Sequence, residues 1–130
     1  MKKLIWLLLA LWPTLTANAT LEPPILWPVP SFSIRGAQTG LASYYGAWHH
    51  GRIMRNGRNF DMHKLTAASN TLPLGTIVRI SRLDRPWRSV VVEITDTGSF
   101  TMVDLDLSYG AMRRLGGLTQ GVIPVRIEVL

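Results

Sequence analysis

Asp96 is the acidic residue whose place in the sequence best suits acid–base chemistry. It follows the β-branched run at residues 90–94 and precedes the turn signal Thr97-Gly98. A carboxylate at the end of a buried strand is partly removed from water, which raises its pKa towards the range that a general acid needs at neutral pH. The alternative is an Asp that caps the turn through its own backbone.

Asp104 and Asp106 form a second acidic feature. They flank Leu105, and if this stretch is extended both carboxylates point to the same face. Paired carboxylates can share a proton or divide the roles of acid and base. Alternatively, Asp106 is a structural acid just ahead of a helix, where the helix dipole favours negative charge. We expect this structural role for Asp106 and keep Asp104 as a candidate substrate contact.

Aromatic and imidazole side chains are concentrated in residues 44–50. Tyr44, Tyr45 and Trp48 suit a platform for the flat face of a sugar, although such residues are at least as often part of a core. His49 and His50 are adjacent, and neighbouring side chains on a strand face opposite ways, so they rarely bind one metal. No Asp, Glu or Cys stands beside them at zinc spacing. We predict neither a metal nor a cofactor and keep His50 as a candidate substrate contact.

The composition excludes several kinds of site. The 130 residues include no Cys, so disulfides, thiolate catalysis, iron–sulfur clusters and Cys-based zinc sites are impossible. A Gly-rich phosphate loop, a Gly-x-Ser-x-Gly elbow and a His-Glu-x-x-His motif are also absent from the sequence. Lys plus Arg is 14 against 8 for Asp plus Glu, but no nucleic-acid-binding module accompanies this charge. We therefore predict no nucleic-acid partner.

Short apolar stretches predict the strands that would position these residues. They cover residues 41–45, 77–81, 89–95 and 122–129, with turn signals between them. One helix is predicted over Tyr109–Leu115, because Ser108 can cap its first turn and Gly116-Gly117 can end it. The pattern predicts an all-β domain over residues 40–130, a small β-barrel with one short α-helix.

The first part of the chain has the pattern of a targeting segment. In residues 1–19, Lys2 and Lys3 precede a short apolar run, and Ala17-Asn18-Ala19 offers small residues at a signal-peptidase site. The alternative is a short uncleaved anchor. Cleavage would leave a protein with no stable membrane anchor, exported to a bacterial periplasm or cell surface. Residues 20–39 are predicted to form an extended, Pro-rich segment.

Several short motifs follow one another in a fixed order from Gly40 onwards. They are Gly40-Leu41-Ala42-Ser43-Tyr44-Tyr45-Gly46, His50-Gly51-Arg52, Asn56-Gly57, Phe60-Asp61-Met62, Leu65-Thr66-Ala67-Ala68, Thr71-Leu72-Pro73-Leu74-Gly75-Thr76, Val90-Val91-Val92, Asp96-x-Gly98-x-Phe100 and Asp106-Leu107-Ser108-Tyr109. In series they resemble the rare lipoprotein A family. The resemblance implies a six-stranded double-psi β-barrel, the fold of expansins and barwin-like proteins. It also implies a lytic transglycosylase that acts on peptidoglycan glycan strands and prefers strands without stem peptides.

Three polar positions are tied to activity in that family, and this chain keeps one of them. Asp96 is present, whereas Arg58 stands where the family has Glu and Ser69 where it has His. Asp96-Thr97-Gly98 also resembles the Asp-Thr-Gly element of membrane-bound lytic transglycosylase A, in which one aspartate does both acid and base work. The resemblance therefore implies Asp96 as the catalytic residue and Arg58 and Ser69 as substrate contacts. A guanidinium next to Asp96 would lower the pKa of that carboxyl.

The expected reaction leaves 1,6-anhydro-muramyl ends on the glycan. One alternative is a non-catalytic, expansin-like module that binds cell-wall glycan without cutting it. A further alternative is a partner-binding protein that uses the Pro-rich segment as its contact.

Overall fold

The structure of the protein, a computed structural model, describes residues 37–130. The predicted signal peptide at residues 1–19 and the Pro-rich segment up to residue 36 lie outside the described residues. Within residues 37–130, no helix is both long enough and apolar enough to cross a membrane. The first described strand begins at Ala37, so residues 37–39, predicted as the end of the Pro-rich segment, are part of the barrel.

Six strands close into a barrel. They are β1 (Ala37–Tyr45), β2 (Thr66–Ala68), β3 (Ile77–Arg82), β4 (Ser89–Asp96), β5 (Leu105–Ser108) and β6 (Ile123–Val129). Around the barrel the order is β1-β5-β2-β4-β3-β6, and β6 pairs with β1 to close it. The β1–β5 and β2–β4 pairs are parallel, and the remaining pairs are antiparallel. The predicted six-stranded barrel is thus confirmed.

The longer strands alternate between apolar side chains that are buried and side chains that are exposed. On β3, Val78 and Ile80 are fully buried while Ile77 and Arg79 are exposed. Because successive side chains of a strand point to opposite faces, this pattern turns one apolar row into the barrel interior. The burial of that row, repeated on β4 and β6, forms the core.

The helix α1 covers Tyr109–Leu115, which confirms the prediction. Its N-cap is Ser108, whose Oγ accepts a hydrogen bond from the Ala111 N–H at 3.1 Å. It ends at Gly116, which adopts a φ of 68° in the left-handed region that Gly reaches without steric cost. Met112 on its inner face is fully buried, so α1 covers part of the core.

The short strands β2 and β5 were not predicted from the pattern. β2 has three residues, and Ala68 pairs with Asp96 of β4 on one side and with Asp106 of β5 on the other. The ladder is irregular here, because β4 advances from Ile94 to Asp96 while β2 advances by one residue. Such a bulge bends the strand and re-aims its side chains. It lies at the end of β4 that carries Asp96.

Candidate functional site

A cleft of about 360 Å³ opens where the ends of β1 and β4 meet β2 and β5. It is lined by aromatic, acidic and small residues: Tyr45, His49, Ala68, Asp96, Thr97, Gly98, Ser99, Phe100 and Asp106. The loop at residues 97–100 that follows β4 supplies one wall, and the end of β1 supplies the other.

Two carboxylates stand on either side of Ala68 in this cleft. Asp96 and Asp106 are the cross-strand partners of the same Ala68 on β2. Two strand spacings separate them, roughly 9–10 Å between their Cα atoms. Ala68, whose side chain is a single methyl group, lines the cleft between them and is 3% exposed. The arrangement offers two carboxyl groups to one ligand.

Asp96 is held by backbone donors. Its Oδ1 accepts hydrogen bonds from the Arg55 N–H at 2.9 Å and from the Thr97 N–H at 2.8 Å. The bond from Thr97 is the turn cap that the sequence offered as an alternative, so Asp96 caps its turn and also lines the cleft. Both bonds use the same oxygen, so they orient the carboxylate. No residue among 37–130 donates a hydrogen bond to Oδ2, which can therefore contact a ligand.

Asp106 lines the cleft, whereas we expected only a structural role for it ahead of α1. It is half-buried on β5, and its Oδ1 accepts a hydrogen bond from the Ser43 Oγ–H at 2.9 Å. Burial raises the pKa of Asp106, while the Ser43 hydrogen bond and the nearby His49 oppose that rise. Asp106 therefore holds a proton more readily than an ordinary Asp does.

Tyr45 brings an unpaired hydroxyl to the same cleft. Its ring packs against Phe60 with ring centroids 4.5 Å apart and edge-on to His49 at 5.3 Å. Its buried Oη has no hydrogen-bond partner among residues 37–130. Burial raises the pKa of Tyr45, and the charges of Asp96 and Asp106 raise it further. The group stays neutral, and its O–H is a donor that no described residue uses.

Arg58 and Ser69, predicted as substrate contacts, do not line this cleft. The Arg58 guanidinium pairs with Glu93 at 2.6 Å between Nη2 and Oε2. Ser69 is buried, and its Oγ accepts hydrogen bonds from the backbone N–H groups of Thr71 and Leu72. Arg58 is thus paired with a different carboxylate from Asp96, and Ser69 holds the turn that follows β2.

Tyr44 and Asp104 also lie elsewhere. Tyr44 points to the opposite side of β1 from Tyr45 and packs against the core, with its hydroxyl 3.4 Å from the Leu118 carbonyl oxygen. Asp104 precedes β5, and its Oδ2 accepts a hydrogen bond from the Leu41 N–H at 2.8 Å. Its carboxylate ties the end of one loop to β1.

Trp48 and His50 belong to the turn after β1 and are not in the cleft lining. The Trp48 side chain is 87% exposed. His50 Nδ1 accepts a hydrogen bond from the Met62 N–H at 3.1 Å, which makes it a loop contact. The neighbouring His49 lines the cleft instead.

The site thus combines predicted and unpredicted residues. Asp96 and Tyr45 are the predicted site residues that the structure brings together, whereas His49 and the place of Asp106 in the cleft were not predicted. Within residues 37–130, no group of three or more His, Asp or Glu is close enough to hold a metal ion. The chemistry available is proton transfer by carboxyl groups beside a neutral hydroxyl donor.

Comparison with known proteins adds the family. The model of a family described as lytic transglycolase matches residues 37–127. A probable endolytic peptidoglycan transglycosylase RlpA of Synechocystis sp. is 43% identical over 99 residues, which are 75% of this chain and 30% of that protein. The endolytic peptidoglycan transglycosylase RlpA of Campylobacter jejuni is 39% identical over 92 residues, covering 70% of this chain and 33% of its own length. The chain thus spans about a third of these relatives.

Solved structures agree on the architecture. A mutant Clavibacter michiganensis expansin in complex with cellohexaose has a TM-score of 0.58 at 20% identity, covering 72% of this chain and 50% of its own. The Streptomyces papain inhibitor has a TM-score of 0.55 at 24% identity, covering 72% of this chain and 94% of its own. The likeness to expansin confirms the predicted double-psi β-barrel.

Proposed function

Since the chain belongs to the lytic transglycolase family, we propose that it is a lytic transglycosylase that cleaves the glycan strands of peptidoglycan. The observation that carries this proposal is the pair of carboxylates, Asp96 and Asp106, on either side of Ala68 in one cleft. Most enzymes that cleave a glycosidic bond place a pair of carboxyl groups on either side of it.

The proposed reaction has two proton transfers, both through Asp96, and consumes no water. Asp96, protonated, donates to the oxygen that links N-acetylmuramic acid to N-acetylglucosamine, and the bond from C1 to that oxygen breaks. The carboxylate of Asp96 then takes the proton of the muramic C6 hydroxyl, whose oxygen bonds to C1 and forms the 1,6-anhydro end. Because the steps are sequential, one residue serves as acid and then as base, and it ends protonated as it began.

The other cleft residues assist in this scheme. Positive charge develops at C1 as the glycosidic bond breaks, and the Asp106 carboxyl across Ala68 faces that charge. The Tyr45 hydroxyl, which lacks a partner among the described residues, donates to a substrate oxygen. Arg58 does not oppose the acid role of Asp96, because it pairs with Glu93.

The substrate preference and the place of action are part of the proposal. The preferred strands lack stem peptides, as the resemblance implies. The protein acts in a bacterial periplasm or at a cell surface, which rests on the signal-peptide pattern of residues 1–19.

The test incubates the protein with intact and with peptide-free peptidoglycan and reads the products by mass spectrometry. Asp96→Asn removes the proton donor, and Asp104→Asn is the matched control because Asp104 lies outside the cleft lining. An amide oxygen at position 104 can still accept the hydrogen bond from the Leu41 N–H. We expect anhydro-muramyl products, more from peptide-free strands, that disappear in Asp96→Asn and persist in Asp104→Asn.

A glycan-binding module without catalysis is the second candidate. It is favoured by the positions of Arg58 and Ser69, which do not line the cleft and which, as the resemblance implies, stand where the family has Glu and His. Sedimentation of the protein with peptidoglycan, without anhydro products from either substrate, would select this candidate over the enzyme.

A further inference from the structure

A second cleft, of about 500 Å³, opens beside α1. Its lining includes His63, Leu65, Arg88, Tyr109, Arg113 and Arg114, and it shares no residue with the lining of the carboxylate cleft. Three of its side chains are guanidinium groups, and none is acidic. The cleft therefore carries a local positive charge that the proposed glycan cleavage does not use.

No acidic group of the described residues neutralises these arginines. Within residues 37–130 the ion pairs are Arg58–Glu93 and Arg82–Asp84. Arg88, Arg113 and Arg114 are exposed and have no carboxylate partner there, so their positive charges are available to an anion in the cleft.

The negative end of the helix dipole at the end of α1 explains the presence of only some of these arginines. Cations are favourable in the last turn of a helix, and Arg113 and Arg114 lie there. However, the buried Arg82 already donates to the carbonyl oxygens of Leu115 and Gly116, at 3.3 Å and 2.8 Å. Arg82 of β3 thus already provides a cation for the carbonyl groups at the end of α1, and the three arginines of the cleft are additional positive charges.

The arginines of the cleft come from two separate parts of the chain. Arg88 precedes β4, and its guanidinium lies against Gly116, so that a Cβ at that glycine would be 3.7 Å from Arg88 Nε. Arg113 and Arg114 come from α1 itself. Planar guanidinium groups that approach from different directions suit the several oxygens of a phosphate or carboxylate, which they bind through paired hydrogen bonds.

An aromatic wall completes the cleft. The rings of Tyr109 and His63 stand edge to face, with centroids 6.2 Å apart and an interplanar angle of 88°. An aromatic ring beside a basic group can pack against the apolar face of a sugar ring while the cation takes its anionic substituent. We infer that this cleft binds an anionic carbohydrate, a sugar unit that carries a phosphate or a carboxylate.

The test measures binding of the full chain to defined polymers by titration calorimetry. Phosphorylated dextran supplies the phosphate on a sugar, polygalacturonate supplies the carboxylate, and uncharged dextran is the neutral probe. The variant Arg113→Gln/Arg114→Gln removes two charges from the cleft. Its matched control, Arg79→Gln/Arg126→Gln, removes two charges from exposed positions on β3 and β6 outside the cleft.

We expect one or both anionic polymers to bind and dextran not to bind. The cleft variant should weaken anion binding about tenfold or more, since charge-assisted hydrogen bonds are lost. The control variant should weaken it less than about twofold. Loss in the phosphate arm alone, or in the carboxylate arm alone, supports the site and identifies its anion.

Three outcomes would overturn the inference. The first is no binding of either anionic polymer by the unmodified chain. The second is an equal loss in both double variants, which would mean that net charge alone attracts the polymer. The third is tighter binding of a single-stranded oligodeoxynucleotide than of both anionic polymers. Melting temperatures of the two double variants, measured beside the titrations, establish that both are folded.

Discussion

Asp96 and Asp106 are cross-strand partners of one residue, Ala68, and stand on the two strands that flank it. The short strand β2 therefore fixes the spacing between the two carboxyl groups. A larger side chain at position 68 would project between them and reduce the space for a ligand.

Enlarging Ala68 should block the cleft. Ala68→Val is expected to reduce glycan cleavage about 100-fold, since a displacement of about 1 Å at a reacting centre costs that much. Val is a favourable residue in a strand. Ala68→Ser, which adds a single oxygen, is the control and should retain most of the activity. Equal activity of the two variants would contradict the role given to this position.

Removing the Tyr45 hydroxyl should separate stability from ligand binding. Tyr45→Phe deletes a buried oxygen that has no hydrogen-bond partner among residues 37–130, so the free energy of unfolding should stay equal or rise by about 1 kcal/mol. Affinity for peptide-free glycan should fall about tenfold, because the bound ligand loses a donor. Denaturant unfolding and a binding titration measure the two effects. A stability loss above about 1 kcal/mol would mean that the hydroxyl has a partner in the fold.

The stability of Asp106→Asn relative to the unmodified chain should depend on pH. Because burial raises the pKa of Asp106 in the folded state, the fold favours the protonated carboxyl. This contribution is complete below the ordinary value of 3.8 and is lost as pH rises through the raised pKa. Asn does not titrate, so the variant should gain stability relative to the unmodified chain as pH rises from about 4. Unfolding curves between pH 3 and 8 test this, and a difference that is constant with pH would contradict it.

Two arginines should differ sharply in their contribution to stability. Arg82 is 1% exposed, and Arg82→Met leaves the carbonyl oxygens of Leu115 and Gly116 without their donor. This substitution should lower the free energy of unfolding by about 2–3 kcal/mol. Arg58→Met breaks a surface ion pair and should cost below about 1 kcal/mol. Urea midpoints of the two variants measure the contrast. A similar cost for both would refute the structural role given to Arg82.

The parts of the fold that could be predicted are those specified by local sequence. The alternation of β3 and the cap and stop signals of α1 are properties of adjacent residues. By contrast, β2 and β5 have three and four residues, too few for a periodic pattern, and they become strands by pairing with distant parts of the chain. The position of Asp106 depends on that pairing, which explains why its place in the cleft was missed.

In the site, the sequence did not show which of two adjacent residues faces the cleft. Tyr44 and Tyr45 were both predicted to contact substrate, but adjacent side chains on β1 point to opposite sides, so only Tyr45 reaches the cleft. In the same way, either His49 or His50 could be chosen from the sequence, and the turn that follows β1 directs His49 inwards. The direction of that turn is set by contacts such as the bond from the Met62 N–H to His50.

The brevity of β2 also has a kinetic consequence. A strand of three residues has no stability of its own, and its two neighbours, β4 and β5, come later in the chain. Pairings between distant segments form slowly, because the closure of the intervening loops must come first. Asp96 and Asp106 therefore come into register only when the barrel closes. A chain that is still folding contains both acids but does not yet hold them in one cleft, so the proposed cleavage of glycan would require the completed fold.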